Sequence, residues 1–220
     1  MPRANPTRDS EIRTALSGTR VSTYLAASGG SLHDALELYG WNARMSAALM
    51  LPAHFAEVSV RNAVDEVLTS LYGADWPWSR TLETSLPSPQ GPVFNPRHHL
   101  QDVRTKHQTT GKVVADMKFV FWPSMFTARH DGRLWVPHIH RLFPGLPAAQ
   151  AAKSARARIA ADLNAIRVLR NRIAHHEPIF TRDLATDLGR MLDLVDVRSA
   201  PTAAWTRAIE DATRVLAQRP

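Results

Sequence analysis

The chain has no cysteine among its 220 residues. Disulfide bonds, a catalytic thiolate and zinc sites built on cysteine are therefore excluded. No apolar run approaches the roughly 18 residues that a membrane span needs, and nothing near Met1 resembles a secretory signal peptide. We therefore expect a cytoplasmic protein with no membrane partner.

The sequence also lacks a recognisable metal motif. No HExxH or acid-rich pattern of the kind that holds a catalytic metal is present. His98-His99 would point to different faces of a helix, and His138-Ile139-His140 would need a strand to align its two imidazoles. His175-His176 could bind zinc together with His98 or His99, but adjacent ligands at a helix end seldom converge. The sequence predicts no metal and no cofactor.

Positive charge is abundant and unevenly distributed. The formal net charge is +7, and residues 80–141 hold nine Lys/Arg, four Asp/Glu and six of the ten histidines. A basic middle segment suits the phosphate backbone of a nucleic acid. It would equally suit a membrane surface, or serve only solubility.

Apolar residues recur mainly at helical spacing, and strand-type alternation is sparse. A chain of this length can bury about 70% of its unfolded surface in one core. We therefore predict an all-α protein in which N-terminal helices (1–50) pack on a main helical domain (51–220), the two forming one compact unit. Met1–Thr7 is predicted to be irregular. Helices are predicted near 8–16, 19–27, 31–50 with a break at Gly40, 51–73, 97–109, 113–122, 148–177 and 181–198, and from 201 onward, with irregular connections at 76–96 and 137–147.

The helix predicted near 148–177 carries the most informative segment, Arg170 to Pro178 (RNRIAHHEP). At about 100° per residue, His175 lies nearly opposite the apolar stripe and within roughly 40° of Asn171. Arg170 falls near the middle of the stripe, so it must find a partner or line a pocket. The residues that form the stripe are Ala155, Ile159, Leu163, Ile166, Leu169 and Ile173.

This segment has two interpretations. It gathers a guanidinium, an amide and an imidazole, which are the groups that RNA cleavage without a metal requires. Alternatively, histidine and arginine in a last helical turn interact favourably with the helix dipole and its free carbonyls. On that second interpretation, the segment is a capped helix end with a solvated charged face.

A second Arg-Asn pair, Arg61-Asn62, lies on the helix predicted over 51–73. Glu57 and Arg61 are four residues apart and could form a surface ion pair. Alternatively, Glu57 could neutralise and orient Arg170 across a helix contact. Asn62 is predicted to lie within an apolar flank of Leu51, Phe55 and Val58, where its amide would need hydrogen-bond partners.

The Arg170-Asn171-Arg172-Ile173-Ala174-His175 segment resembles the RNxxxH signature of the HEPN superfamily of ribonucleases and nucleotide-binding proteins. Over about residues 51–180 the resemblance is to the Abi-like, abortive-infection branch. It rests on three ordered blocks: Glu57 to Val64, Lys118 to Trp122, and Arg170 to Pro178. The resemblance implies a HEPN-like helical bundle with additional helices. Arg170, Asn171 and His175 would be catalytic, with His176, Arg172, Glu57, Arg61 and Asn62 supporting catalysis or binding RNA.

The resemblance also implies a metal-independent RNA endonuclease that acts by 2′-hydroxyl attack. Such a protein would be a toxin in abortive infection, anti-phage defence or a toxin-antitoxin system, with an RNA or protein antitoxin as a possible partner. One histidine cannot easily be both base and acid, and HEPN nucleases commonly pair two motifs across a two-fold axis, so the resemblance implies a homodimer with a composite site. The alternatives are a non-catalytic RNA-binding or protein-interaction helical module, and the target of a nucleotidyl-transfer partner. Replacement of His175 would distinguish the first two functions, because a nuclease should lose its activity and a binding module should keep its own.

Overall fold

The computed structural model describes residues 5–220, and in that range it contains helices and no strand. The predicted all-α class is confirmed. Short 3-10 turns at Trp76–Trp78 and Ala128–His130 and a π-helical turn at Asp131–Trp135 complete the described structure. The α-helices are α1 (Pro6–Leu16), α2 (Gly18–Ala27), α3 (Leu32–Tyr72), α4 (Arg80–Ser85), α5 (Pro96–Arg104), α6 (Thr110–Asp116), α7 (Phe121–Met125), α8 (Val136–Leu142), α9 (Ala152–Ala174), α10 (Leu184–Arg198), α11 (Ala200–Ile209) and α12 (Ala212–Leu216).

The central element is α3, which runs for 41 residues. The Ser31 side chain caps its first turn by accepting from the Asp34 backbone N–H. The predicted breaks at Gly40 and at Leu51-Pro52 are wrong, because the helix continues through both. Proline removes one helical hydrogen bond at a cost of about 3 kcal/mol. Burial of apolar side chains on both sides of Pro52, at about 1.5–3 kcal/mol for a large one, offsets that cost.

Two polar contacts tie α3 to the C-terminal part of the chain. The Trp41 indole N–H donates to the Val215 carbonyl over 2.8 Å. The buried amide oxygen of Asn42 accepts from the backbone N–H groups of Ile179 and Phe180, at 2.8 and 3.1 Å. The segment that follows the Arg170–Pro178 motif is therefore held directly against α3.

The N-terminal helices α1 and α2 pack on α3, whose continuous course crosses the predicted boundary between 1–50 and 51–220. The prediction of an irregular start over Met1–Thr7 is wrong for Pro6 and Thr7, which lie in α1, and residues 1–4 lie outside the described residues. The Asn5 side chain caps α1 by accepting from the Arg8 backbone N–H at 3.2 Å. Pro6 lies at the start of the helix, where a backbone N–H would have no intrahelical acceptor. The N–H that proline lacks therefore costs no helical hydrogen bond.

The middle of the chain differs most from the predictions. The connection predicted over 76–96 contains α4, and the one predicted over 137–147 begins with α8, whose Pro137 lies in the first turn, where proline is tolerated. The single core helix predicted over 113–122 is instead α6 and α7, separated by a turn. Met117 is extended there, and the Lys118 backbone N–H donates to the His99 imidazole at 3.0 Å, so it makes no helical bond.

The last third of the chain follows the predictions closely, with helix ends shifted by a few residues. The motif helix, predicted over 148–177, is α9 (Ala152–Ala174), and the helix predicted from 181 is α10 (Leu184–Arg198). The final segment divides into α11 and α12. Within residues 5–220, no helix is long and apolar enough to cross a membrane.

His130 is buried completely beside an ion pair between Asp131 and Arg156. Neither of its ring nitrogens has a hydrogen-bond partner among residues 5–220. Burial, together with the nearby cations of Arg133 and Arg129, lowers the pKa of His130 from 6.5 to about 4. The imidazole is therefore neutral in the folded protein at physiological pH.

Candidate functional site

Helix α9 positions the motif by burying its apolar stripe. Ile159, Leu163 and Ile166 are each 1% exposed, and Ala155 and Leu169 are fully buried, as the sequence predicts. Ile173, the last member, is half-buried. With that face fixed against the core, Asn171 and His175 are exposed on the other side. The predicted outward direction of this pair agrees with the structure.

A cleft of about 540 Å³ opens beside the first half of the motif. One wall comes from α3 through Glu57, and another from the turn between α6 and α7. The third wall is α9. These are the three sequence blocks on which the family resemblance rests, and each of them contributes to the cleft. The lining residues are Glu57, Ala115, Met117, Lys118, Phe119, Val120, Arg167, Arg170 and Asn171.

Arg170 is held in this cleft from two directions. Its Nε lies 3.7 Å from Glu57 Oε2, and its guanidinium carbon lies 5.7 Å from the centre of the Phe119 ring. The side chains of Arg170 and Glu57 remain 39% and 20% exposed, so a ligand can reach them. The expectation that Arg170 finds a partner and lines a pocket is met on both counts.

Of the two schemes for Glu57, the structure contains the pair with Arg170. Glu57 and Arg61 form no ion pair within residues 5–220, and the buried Nε of Arg61 has no hydrogen-bond partner there. The predicted burial of Asn62 is wrong, because its side chain is exposed. Within the predicted apolar flank, the Phe55 ring packs against the Trp205 ring, with ring centres 5.0 Å apart. This packing does not extend to Asn62, which remains in contact with solvent. Neither Arg61 nor Asn62 lines the cleft.

The motif helix ends in a Schellman turn. His176 has a left-handed backbone with φ of +55°. Its N–H bonds the Ile173 carbonyl at 3.0 Å, and the Glu177 N–H bonds the Arg172 carbonyl at 2.8 Å. Arg172 braces this turn, because its Nη2 donates to the Pro178 carbonyl at 2.9 Å and its Nε lies 3.4 Å from Glu177. The segment therefore forms a capped helix end, as the second interpretation of the sequence predicts.

His175 and His176 line a second cleft, of about 330 Å³, between this turn and α2. Arg20 on α2 donates from Nη1 to the His176 carbonyl at 2.9 Å. Tyr24 forms part of the wall, and burial raises its pKa to about 12. Within one chain, the structure thus places Arg170 and Asn171 in one cleft and His175 in a neighbouring one. His175 lies one helical turn beyond Asn171, about 6 Å along the helix axis.

Two cations of the first cleft, Lys118 and Arg167, are not among the site residues predicted from the sequence. Arg167 precedes Arg170 by three residues, so the two guanidinium groups lie on one side of α9. That spacing could have indicated Arg167. The position of Lys118 depends on the turn between α6 and α7, which the sequence pattern does not reveal. With Arg170 and Glu57, the cleft holds three positive charges and one negative charge, an arrangement that can bind a phosphate.

Three other histidines have ordinary surroundings. His98 pairs with Asp102 at 3.2 Å, and His140 lies 3.0 Å from the Gln150 carbonyl. His99 packs between the Phe94 and Phe121 rings. In the described part of the chain, no three His, Asp or Glu side chains are grouped so that they could hold a metal ion.

Comparison of the chain with protein-family models, with curated proteins and with solved structures found no match. What these two clefts do is therefore inferred from their own residues.

Proposed function

We propose that this chain is a metal-independent RNA endonuclease of the HEPN type and the toxic component of an abortive-infection or toxin-antitoxin system. The observation that supports the proposal most directly is the cleft itself. Glu57, the Lys118–Val120 turn and the Arg170-Asn171 pair are far apart in sequence and line one basic cavity. A basic cleft with an amide and a nearby imidazole suits a phosphodiester.

In the proposed reaction, the ribose 2′-oxygen forms a bond to the adjacent phosphorus and the bond from phosphorus to the 5′-oxygen breaks. The products are a 2′,3′-cyclic phosphate and a 5′-hydroxyl. The 2′-hydroxyl proton passes to a base, and a second proton passes from an acid to the leaving 5′-oxygen. Arg170 stabilises the charge that builds on the phosphorane, and Asn171 holds a phosphate oxygen.

His175 is the proposed proton-transfer group. It is exposed and its side chain has no hydrogen bond to any of residues 5–220, so it is available to a substrate. His175 lies in the cleft next to the one that holds Arg170. Each chain therefore presents a phosphate-binding guanidinium in one cleft and an imidazole in the next. We propose that a second copy, related by a two-fold axis, supplies the other histidine of a composite site.

The decisive experiment replaces His175 by alanine and measures cleavage of single-stranded RNA. We expect cleavage to fall by a factor of about 10² to 10⁴, the usual loss for a positioned proton-transfer group. His138→Ala, on α8 and outside both clefts, serves as the matched control. Equal cleavage by wild type and His175→Ala, with matching melting curves, would refute the assignment.

Two substrate experiments test the chemistry. A 2′-deoxy substitution at the scissile position should abolish cleavage, since the 2′-oxygen is the nucleophile. Treatment with EDTA should leave the rate unchanged. Cleavage of the 2′-deoxy strand at the normal rate would refute the 2′-hydroxyl mechanism.

The composite site is tested by assembly. Sedimentation at catalytic concentrations should give a dimer, and mixing His175→Ala subunits with Arg170→Ala subunits should give more activity than either alone. A monomer with full activity would remove the second chain from the mechanism.

A second candidate function is a non-catalytic RNA-binding module. The separation of His175 from the Arg170 cleft favours it, because a binder needs only the cations. Such a protein would bind RNA equally well before and after His175→Ala and would cleave none.

A further inference from the structure

Arg167 is an unpaired cation in a partly enclosed position. It lines the 540 Å³ cleft one turn before Arg170. Within residues 5–220 it has no ion-pair partner, and its Nε is shielded from solvent with no hydrogen-bond acceptor. A shielded N–H without an acceptor is unfavourable, and an oxygen of a bound ligand would remove that penalty.

Lys118 lines the same cleft from the turn between α6 and α7, on a backbone that is fixed. Its N–H donates to His99 at 3.0 Å, and its carbonyl accepts from the Phe121 N–H at 2.9 Å. The flanking Met117 and Phe119 side chains are buried. The Lys118 side chain is exposed, with no ion-pair partner in the described part of the chain.

Glu57 compensates only one of the three positive charges in the cleft. It lies within ion-pair distance of Arg170 only. The positive charges of Arg167 and Lys118 are not neutralised by any described carboxylate. The cleft therefore has one partly neutralised guanidinium beside the motif and two uncompensated cations next to it.

We propose that Arg167 and Lys118 form a second phosphate subsite, which binds the phosphodiester that flanks the scissile one in a single-stranded RNA. This inference rests on the proposed function for the identity of the neighbouring site. About 5–6 Å separates the Cβ atoms of residues three apart on a helix, a spacing at which Arg167 and Arg170 can hold adjacent phosphates of one strand. Arg167 and Lys118 bind substrate and take no part in proton transfer.

The experiment measures binding of a single-stranded RNA with a 2′-deoxy scissile position, which cannot be cleaved. Arg167→Gln and Lys118→Gln should each weaken binding about tenfold. Each should also reduce the slope of log affinity against log salt by about 0.7, the value for one phosphate contact to a single strand. Lys153→Gln and Arg44→Gln, which remove charge outside the cleft, are the matched controls and should change affinity by less than about twofold.

A cleavage assay on an all-ribose strand separates binding from chemistry. Arg167→Gln and Lys118→Gln should raise KM with kcat nearly unchanged, whereas His175→Ala should lower kcat. Melting curves should match the wild type, because neither side chain makes a described hydrogen bond or ion pair. The change in salt slope is a signature that a purely structural role would not produce.

The outcomes distinguish this subsite from the nuclease assignment. If Arg167→Gln and Lys118→Gln behave like the two controls while wild type cleaves RNA, the subsite is overturned and the nuclease stands. If wild type binds RNA with the expected variant effects but never cleaves it, the subsite stands and the nuclease is overturned. If wild type binds no RNA, both are overturned.

Discussion

The protein should lose stability in mild acid because of one residue, His130. Its pKa is about 4 in the folded protein and 6.5 in a solvated chain. The unfolded state therefore binds a proton more readily than the folded state does. A base whose folded pKa is lowered contributes stability that is present above pH 6.5 and lost as the pH falls from 6.5 towards 4.

The size of the effect follows from the difference in pKa. At 1.36 kcal/mol per pKa unit, the full contribution is about 3 kcal/mol. Between about pH 7.5 and about pH 5, the free energy of unfolding should fall by about 2 kcal/mol on account of His130 alone.

The assay is urea denaturation at a series of pH values, for wild type and for His130→Phe. Phenylalanine keeps a planar ring and does not titrate. Repacking of the core can change absolute stability, so the informative quantity is the difference in pH slope between the two proteins. Carboxylates with lowered pKa, such as Glu66 and Glu83, are common to both and cancel. Parallel stability curves for wild type and His130→Phe between these pH values would refute the reasoning.

Three further predictions concern the site. Glu57→Gln should lower kcat about tenfold while tightening RNA binding, because Arg170 loses its orienting carboxylate and the cleft loses a negative charge; weaker binding would contradict this. His176→Gly should leave the free energy of unfolding unchanged or raise it by up to about 1 kcal/mol in a melting experiment, because glycine suits the left-handed turn. Cleavage should stay within about threefold, and a larger loss would assign proton transfer to His176. Arg20→Ala should lower kcat about threefold to tenfold at unchanged RNA affinity, with partial rescue by Arg20→Lys, because Arg20 fixes the His176 carbonyl; an unchanged kcat would exclude this role.

The motif helix could be predicted from the sequence because its determinants are local. The spacing of Ile159, Leu163 and Ile166 sets the buried face, and that face sets the directions of Asn171 and His175. The position of Arg170 within the stripe correctly indicated that it needs a partner. Glu57 could be suggested for that role from the sequence, although only the packing of α3 beside α9 decides between Arg170 and Arg61.

The errors in the predictions come from contacts between distant residues. Pro52 is a strong local signal for a helix end, but packing along both sides of α3 overrides it. The turn over 117–120 cannot be predicted from apolar periodicity, because the Lys118 backbone N–H in it is bound by the His99 side chain of another helix. Lys118 belongs to that turn, and its place in the cleft could not be predicted for the same reason.

The attachment of α3 to the end of the chain has a consequence for folding. Trp41 bonds a carbonyl 174 positions later, and Asn42 bonds an N–H 137 positions later. Contacts between residues so far apart in sequence slow folding, because a large loop must close before they form. During synthesis, α3 leaves the ribosome well before the residues that satisfy Trp41 and Asn42. Until those residues are synthesised, the Trp41 indole N–H and the Asn42 amide oxygen lack the partners that they have in the folded protein.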